Sequence, residues 1–488
     1  MALSYIQRKS AVSSILWILG CGQGMTYYPV KKVYAGFNLG NTIWLLRKSE
    51  GFLCGDKNTF LDRFINDFQK YIIKHPQHAD SVKKIYLQRK VKFSNFINTH
   101  LAQYDYSLAS NKVLWLDYQK TFKGYQEVYP YSEPLAIAIG NLSDRIKGEF
   151  LKKGLSHNQC EKLILPTELS FIQKEQLEFF KIAIDNKGKG ISNTTLKKIQ
   201  KHHDDYTWLP YDYGVTAYSL DYFINQLKVI LEKDNSEIIK KYQALKNYSQ
   251  NLKKEQRVII KKFKINFQQE SLINIIKIAF YLVDSKKELF TRCHWFAERL
   301  FLEISQRLNL PLHLTRYLLP DEVADSLINH KKINFKKLQS RYDNCVLTIK
   351  NNGAVNILEG RKAEIIINNF VEDRNRLIAE NDLKGRVANP GTAKGLARVI
   401  MDARECDTFK HGEILITAMT SPDYILAARR AAAIITDEGG ITCHAAIISR
   451  ELGIPCIIGT RNATKVLHDG DLIEVNANQG TVEIVSKA

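Results

Sequence analysis

His444 stands between a pair of glycines and an apolar segment, in the stretch 436–448 that reads Thr-Asp-Glu-Gly-Gly-Ile-Thr-Cys-His-Ala-Ala-Ile-Ile. The pattern predicts a buried strand, then a turn in which Gly439 and Gly440 supply backbone freedom, then a helix from His444 with Thr442 as its N-cap. The first turn of a helix presents unpaired N–H groups and the positive end of the helix dipole. That position favours an anion on the imidazole, and we expect a phosphoryl group.

The same helix dipole disfavours an imidazolium, so the free ring of His444 is expected to be neutral and nucleophilic. An isolated histidine at a strand–helix junction more often only caps the helix or packs against it. The neighbouring residues decide between these two interpretations.

The core Gly-Gly-x-Thr-Cys-His-Ala-Ala-Ile-Ile at 439–448 resembles the phosphohistidine motif of the phosphoenolpyruvate-utilising enzymes. That family includes phosphoenolpyruvate synthase and rifampin phosphotransferase, and the motif looks closest to the synthase branch. The resemblance implies that His444 is the phosphocarrier, with Gly439, Gly440, Thr442 and Cys443 supporting the phosphate site. Cys443 is expected to pack as a small apolar residue rather than to act as a nucleophile.

The resemblance extends over residues 383–488, where short apolar runs predict strands around 383–399, 412–418, 433–436, 455–459, 471–475 and 481–485. Helices are predicted at 424–430 and 444–452. Arg450 is expected to make only a surface ion pair, and Arg429 and Arg430 are expected to be solvated. Strands and helices in about a hundred residues make one compact α/β domain. In the family this is a β/β/α swivelling domain that travels between active sites.

Residues before about 340 show apolar spacing typical of helices. These helices are predicted at 60–73, 81–100, 111–129, 135–153, 173–186, 192–204, 220–233, 236–263, 270–286, 288–308 and 320–327. A β-hairpin with an Asn-Gly turn is predicted at 344–358. The fold class is therefore α+β and multidomain: a mostly α-helical domain at 1–340, a β-hairpin and linker at 341–384, and a swivelling phosphohistidine domain at 385–488.

The helical part also resembles the domain that precedes the swivelling domain in rifampin-phosphotransferase-like proteins, which implies that it binds the acceptor. Trp208 and Tyr211 are candidates for the acceptor pocket; the alternative is an aromatic turn that only ends a helix. The adjacent residues His202-His203-Asp204-Asp205 point in different directions on a helix, so no metal site is predicted there.

The composition indicates a globular protein of 488 residues with a net charge of +19. No apolar run approaches the ~20 residues that span a bilayer, and eight cysteines without CxxC spacing indicate reduced thiols in a cytoplasmic protein. Because residues 386–488 are nearly neutral, the positive charge lies in residues 1–385. Its lysines are dispersed, which favours solvated helix faces over nucleic-acid binding.

No phosphate loop typical of an ATP-grasp domain is recognised in the sequence, and no barrel domain is expected after the swivelling domain. The leading hypothesis is a phosphotransferase component in which a separate ATP-grasp subunit loads His444 and a small-molecule acceptor binds the helical domain. Mg²⁺ and ATP, or phosphoenolpyruvate, are then expected at the partner's site, and no cofactor is assigned to this chain. The alternative is a non-catalytic binding or regulatory protein whose basic helical domain contacts an acidic partner or nucleic acid.

Overall fold

A computed structural model describes residues 3–9, 14–26, 41–48, 50–56, 61–211, 217–350, 352–379, 383–401, 403–420, 424–437, 443–460 and 462–488. Gly439, Gly440 and Thr442 lie outside the described residues. Contacts divide the chain into two compact units, Met1–Ile367 and Asn368–Ala488. Each unit is described by itself.

Helices make up most of the first unit. Its described helices are α1 (Ile15–Thr26), α2 (Leu61–Lys74), α3 (Gln77–Phe96), α4 (Asn111–Val128), α5 (Glu133–Ala138), α6 (Gly140–Lys152), α7 (His157–Ile164), α8 (Phe171–Asn186), α9 (Asn193–Tyr206), α10 (Leu220–Glu232), α11 (Asn235–Lys246), α12 (Tyr248–Lys262), α13 (Phe267–Leu308), α14 (Leu312–Thr315), α15 (Pro320–Leu327) and α16 (Phe335–Asp343). A short π-helical turn, Ile97–Leu101, continues α3.

A five-stranded antiparallel sheet completes the first unit. Its strands are β1 (Leu3–Lys9), β2 (Thr42–Arg47), β3 (Glu50–Asp56), β4 (Cys345–Ile349) and β5 (Val355–Glu359), in the order β1-β3-β2-β4-β5. The predicted hairpin is β4–β5, but β4 also pairs with β2, where Trp44 lies opposite Leu347. The hairpin therefore belongs to the first unit, together with three strands that the sequence analysis did not predict.

The core of the first unit surrounds α1, whose apolar residues are buried. Glycines allow this close packing, because a Cβ at Gly20 would lie 2.7 Å from the Cβ of Tyr125. The longest helix, α13, packs against the same core and ends at Asn309, which has a left-handed φ of 49°. The prediction of two separate helices at 270–286 and 288–308 was wrong, since α13 is continuous.

The second unit is built on a seven-stranded sheet. Its strands are β6 (Arg386–Asn389), β7 (Thr392–Val399), β8 (Ile414–Thr417), β9 (Ala433–Thr436), β10 (Cys456–Ile458), β11 (Leu472–Asn476) and β12 (Thr481–Ser486), in the order β12-β11-β7-β8-β9-β10-β6. Helix α17 (Arg361–Ala379) crosses the boundary between the units, and α18 (Ile425–Arg430), α19 (His444–Leu452) and α20 (Ala463–Val466) follow. Strands β7 to β10 are parallel, and the outer strands are antiparallel.

Both faces of the central strands are buried, because side chains alternate between two apolar clusters. Leu415 and Ile434 pack with α18 and α19 on one face. Ile416 and Ile435 pack with α20, β11 and β12 on the other. The predicted fold class is confirmed: a mostly helical first part precedes a C-terminal α/β domain.

Candidate functional site

His444 is the first residue of α19, which connects the parallel strands β9 and β10. In such a β–α–β unit the helix begins beside the carboxyl ends of the strands, which is the edge where open α/β sheets bind ligands. The prediction that His444 lies in the first turn of a helix is confirmed. Chain topology therefore brings the candidate carrier residue to the binding edge of the sheet.

The N-cap of α19 is Cys443, with φ −70° and ψ 164°, rather than the predicted Thr442. No side chain at this N-cap accepts a hydrogen bond from the first turn. Among the described residues, no serine or threonine oxygen therefore caps the first-turn N–H groups of α19, and that favours an anion at this end of the helix.

Cys443 packs against the cluster beneath α19, together with Leu452 and Ile454, as expected for a small apolar residue. Its neighbour Cys456 is fully buried, and burial raises the pKa of that thiol to about 12. Cys456 is therefore a protonated packing residue, and the role of Cys443 in supporting a phosphate stays a prediction.

Asp437 follows β9 directly and is buried. Its carboxylate accepts hydrogen bonds from the hydroxyl group of Thr460 at 3.2 Å, from the backbone N–H of Thr464 at 3.1 Å, and from the hydroxyl group of Thr464. Asp437 was not predicted as a site residue from the sequence. The sequence feature that could have revealed it is a carboxylate directly after an apolar strand and just before the motif at 439–448.

Threonines link the carboxyl ends of the three central strands. The backbone N–H of Thr460, after β10, donates to the carbonyl of Thr436 at 3.0 Å, and the N–H of Asp437 donates to the carbonyl of Thr417 at 3.1 Å. All four residues are buried. The ends of β8, β9 and β10 are thus joined into one polar edge from which the segment leading to His444 departs.

Arg430 is exposed, as expected, but it also binds a backbone carbonyl, and Arg450 binds a backbone carbonyl where a surface ion pair was expected. Arg450 donates from Nε to the carbonyl of Ala388 at 3.0 Å, and Arg430 donates from Nη1 to the carbonyl of Phe409 at 3.1 Å. Arg429 is exposed, as expected. These contacts hold α18 and α19 in place, because side-chain cations near the ends of helices satisfy carbonyls of neighbouring segments.

Trp208 is a core residue of the first unit, only 2% exposed. Its indole Nε1 donates to the carbonyl of Asp205 at 2.7 Å, and its ring lies 6.0 Å from that of Phe171. Tyr211 donates from its hydroxyl group to Glu298 at 3.1 Å. The structure thus gives Trp208 a packing role, and its part in an acceptor pocket stays a prediction.

The histidines near Trp208 bind separate partners. His202 is buried with Nε2 2.9 Å from Glu175, whereas His203 lies 3.1 Å from Asp204. Within the described ranges, no group of three or more His, Cys, Asp or Glu side chains is arranged to hold a metal ion. No helix in those ranges is long and apolar enough to cross a membrane.

Residues 409–480, which include the whole connection from β9 to β10, match the family described as PEP-utilising enzyme, mobile domain. Phosphoenolpyruvate synthase of Pyrococcus furiosus is 56% identical over 104 residues, 21% of this chain and 13% of that protein. An uncharacterised phosphotransferase of Bacillus subtilis is 43% identical over 128 residues, 26% of this chain and 15% of that protein.

The similarity to these curated relatives thus spans less than a sixth of their length. A solved structure of Enzyme I, covering 64% of this chain and 79% of that chain at 12% identity, has a TM-score of 0.18, too low to indicate a common fold. The matched region lies within the unit that carries His444. Residues 409–480 of the C-terminal unit therefore match the mobile-domain family of the PEP-utilising enzymes.

Proposed function

We propose that the protein is a phosphotransferase component in which His444 carries a phosphoryl group from a donor to an acceptor. The observation that carries this proposal is the position of His444, the first residue of α19 at the carboxyl edge of the parallel strands. The mobile-domain match over residues 409–480 supports the same role.

The chemistry follows from this position. A neutral imidazole nitrogen attacks the phosphorus of the donor, a P–N bond forms, and the bond from phosphorus to the donor's leaving oxygen breaks. In the second step an oxygen of the acceptor attacks phosphorus, the P–N bond breaks, and the acceptor's proton passes to solvent. The N-terminus of α19 stabilises the negative charge of the phosphoryl group between the two steps.

The donor in this proposal is ATP bound with Mg²⁺ on a separate ATP-grasp subunit; phosphoenolpyruvate is the other donor chemistry that the family match allows. The acceptor is a small molecule bound by the first unit. The similarity to a protein named as a phosphotransferase supports phosphoryl transfer as the class of reaction. The labelling experiment described next distinguishes the two donors.

The test incubates the purified chain with labelled ATP and candidate ATP-grasp proteins, and in parallel with labelled phosphoenolpyruvate. We expect one acid-labile phosphoryl group on the wild-type protein and none on His444→Ala. His411→Ala is the matched control, because His411 is an exposed histidine of the same unit. Label that persists in His444→Ala would overturn the proposed carrier.

The protein isolated from its own cells provides a second measurement that needs no chosen donor. Intact mass spectrometry at neutral pH should detect an adduct with the mass of one phosphoryl group, lost after mild acid. A wild-type protein that carries no adduct and accepts label from neither donor would contradict the proposal.

A further inference from the structure

The first unit contains a cavity of about 800 Å³, within the size range of small-molecule sites. It lies between the π-helical turn Ile97–Leu101, the end of α9 and the middle of α13. The described residues that line it include Asn98, His203, Asp205, Arg292, Trp295 and Arg299. The cavity is lined by residues of the first unit and lies next to Trp208, which the sequence predicted as a candidate for the acceptor pocket.

Two arginines line the cavity from one face of α13. Arg292 and Arg299 are seven residues apart, about two helical turns. Arg292 donates to the side-chain oxygen of Asn98 at 2.7 Å, and Arg299 donates to the carbonyl of Ala102 at 2.9 Å. Among the described residues, neither guanidinium lies within 4.0 Å of a carboxylate oxygen, although the charge of Arg292 also acts on Glu288, one helical turn earlier.

Each guanidinium has five N–H donors, so one hydrogen bond leaves most of them for a ligand. A guanidinium that is held in place and has no carboxylate in direct contact is a ready binding group for a carboxylate or another small anion. Two such groups on one wall therefore favour an anionic ligand.

The groups that hold the arginines come from an unusual backbone segment. Asn98 lies within the π-helical turn, and Ala102 follows its last residue. Turns of π-helix are rare and occur frequently at functional sites. This turn presents one side-chain acceptor and one backbone acceptor to the two arginines, so its conformation sets where both guanidinium groups are held.

An aromatic surface lies between the arginines. Trp295 is half-buried on the same face of α13, and the ring of Tyr211 packs edge-on against it at 5.5 Å. Phe296 also lines the cavity. Aromatic rings held at their edges offer a flat apolar wall, which favours a planar ligand.

Two acidic residues near the end of α9 also line the cavity and restrict the charge of the ligand. Asp204 and Asp205 are exposed at the end of α9, and Asp204 accepts a hydrogen bond from Gln200 at 2.8 Å. Their negative charge disfavours a polyanion such as a nucleoside triphosphate and can accept hydrogen bonds from ligand hydroxyl groups.

We propose that this cavity binds a small, planar organic molecule with a single anionic group held by Arg292 and Arg299 and its flat apolar part against Trp295. That this ligand is the phosphoryl acceptor rests on the proposed function of His444. The binding site itself rests only on the cavity.

The test uses naphthoate as the probe, a planar aromatic carboxylate, with its neutral amide and inorganic phosphate for comparison. Isothermal titration calorimetry on the full chain should show naphthoate binding at least about tenfold tighter than the amide, since hydrogen bonds to charged groups contribute about 1.5–3 kcal/mol. Inorganic phosphate, which lacks the apolar part, should bind more weakly than naphthoate.

Two variants locate the binding. Arg299→Gln and Arg292→Gln should each weaken naphthoate binding by about tenfold and leave the amide unchanged. Arg257→Gln removes the same charge from an exposed position on α12 and should bind naphthoate like the wild type. Arg299 is exposed, so Arg299→Gln is the decisive variant, with its fold checked by circular dichroism.

Three outcomes would overturn the site: no naphthoate binding to the folded wild-type chain, equal binding of naphthoate and its amide, or unchanged naphthoate binding in Arg299→Gln. The titration is repeated with His444→Ala, which should bind naphthoate normally. If naphthoate binds selectively but His444 is not phosphorylated, the binding site is supported and the proposed function is contradicted. If His444 is phosphorylated but naphthoate does not bind selectively, the proposed function is supported and the binding site is contradicted.

Discussion

The hydroxyl group of Thr460 donates a hydrogen bond to the buried carboxylate of Asp437 at 3.2 Å. Asp437 follows β9 and Thr460 follows β10, so this bond joins the carboxyl ends of two neighbouring parallel strands. Helix α19 lies between the two residues in the sequence. The segment that leads to His444 therefore starts at Asp437, whose carboxylate is held by hydrogen bonds from Thr460 and Thr464.

Replacing Asp437 should weaken the second unit. Asp437→Asn keeps the shape of the side chain but removes the charge that strengthens its bonds to Thr460 and Thr464, so we expect a loss of about 1–3 kcal/mol of unfolding free energy. Chemical denaturation measures it. Glu405→Gln, the same change at an exposed position, is the control. Equal stability of the two variants would contradict a structural role for Asp437.

The first unit contains a buried ion-pair cluster centred on Arg341, whose side chain is fully buried. Arg341 donates to both carboxylate oxygens of Glu322, at 2.6 and 2.8 Å, and to Glu359 at 2.6 Å. The cluster joins α16 to α15 and to β5, so it fastens the hairpin to the helical body.

Arg341→Met should destabilise the first unit by about 3–5 kcal/mol, because it leaves two carboxylates without their cation. Thermal unfolding followed by circular dichroism measures the loss. Arg361→Met, an exposed arginine nearby in the chain, should change stability little. A melting temperature for Arg341→Met that matches the Arg361→Met control would show that the cluster contributes nothing.

A carboxylic acid on α13 should make stability depend on pH. Burial, helped by the charge of Glu288, raises the pKa of Asp284 to about 6. A group whose pKa is higher in the folded state stabilises the fold below its ordinary pKa of about 3.9, and this contribution is lost as pH rises through about 6. The wild type should therefore lose stability between pH values of about 4 and 6 relative to a variant that cannot ionise.

The Asp284→Asn variant tests that sign. It should be more stable than the wild type by about 1–3 kcal/mol at neutral pH and should lose this advantage in acid. Urea unfolding at a series of pH values gives the comparison, with Asp221→Asn, an exposed aspartate on α10, as the control. A difference between Asp284→Asn and wild type that does not vary with pH would contradict the raised pKa.

The sequence predicted the second unit well because local signals agree there with the fold. Its central strands are apolar runs of three or four residues bounded by turns, and both faces of each run are buried. The start of α19 at His444 follows from the change from glycines to helical spacing. The N-cap was predicted one residue too early, because threonine is a preferred N-cap residue and cysteine is not, yet the residue with extended backbone directly before the helix is Cys443.

The first unit was predicted less well because its sheet is assembled from distant parts of the chain. Strand β2 pairs with β4, about three hundred residues later, and no local pattern reports such a pairing. Helix α13 was divided in the prediction at Lys286 and Lys287, yet Lys286 lies buried in an ion pair with Glu133. The contact with Glu133 thus allows two consecutive lysines within a continuous core helix. The spacing of apolar residues in the sequence does not reveal such a contact.

The uncapped start of α19 yields a prediction at the residue next to His444. Cys443 is the N-cap and accepts no capping hydrogen bond, whereas a serine hydroxyl at that position accepts one from the first turn. Cys443→Ser should therefore exceed Cys443→Ala in unfolding free energy by about 0.5–2 kcal/mol. Both variants lose the thiol's packing against Leu452 and Ile454, so the difference between their unfolding free energies measures the capping hydrogen bond alone.

Chemical denaturation of the two proteins side by side gives that difference. Equal midpoints and slopes for Cys443→Ser and Cys443→Ala would show that the first-turn N–H groups already have partners.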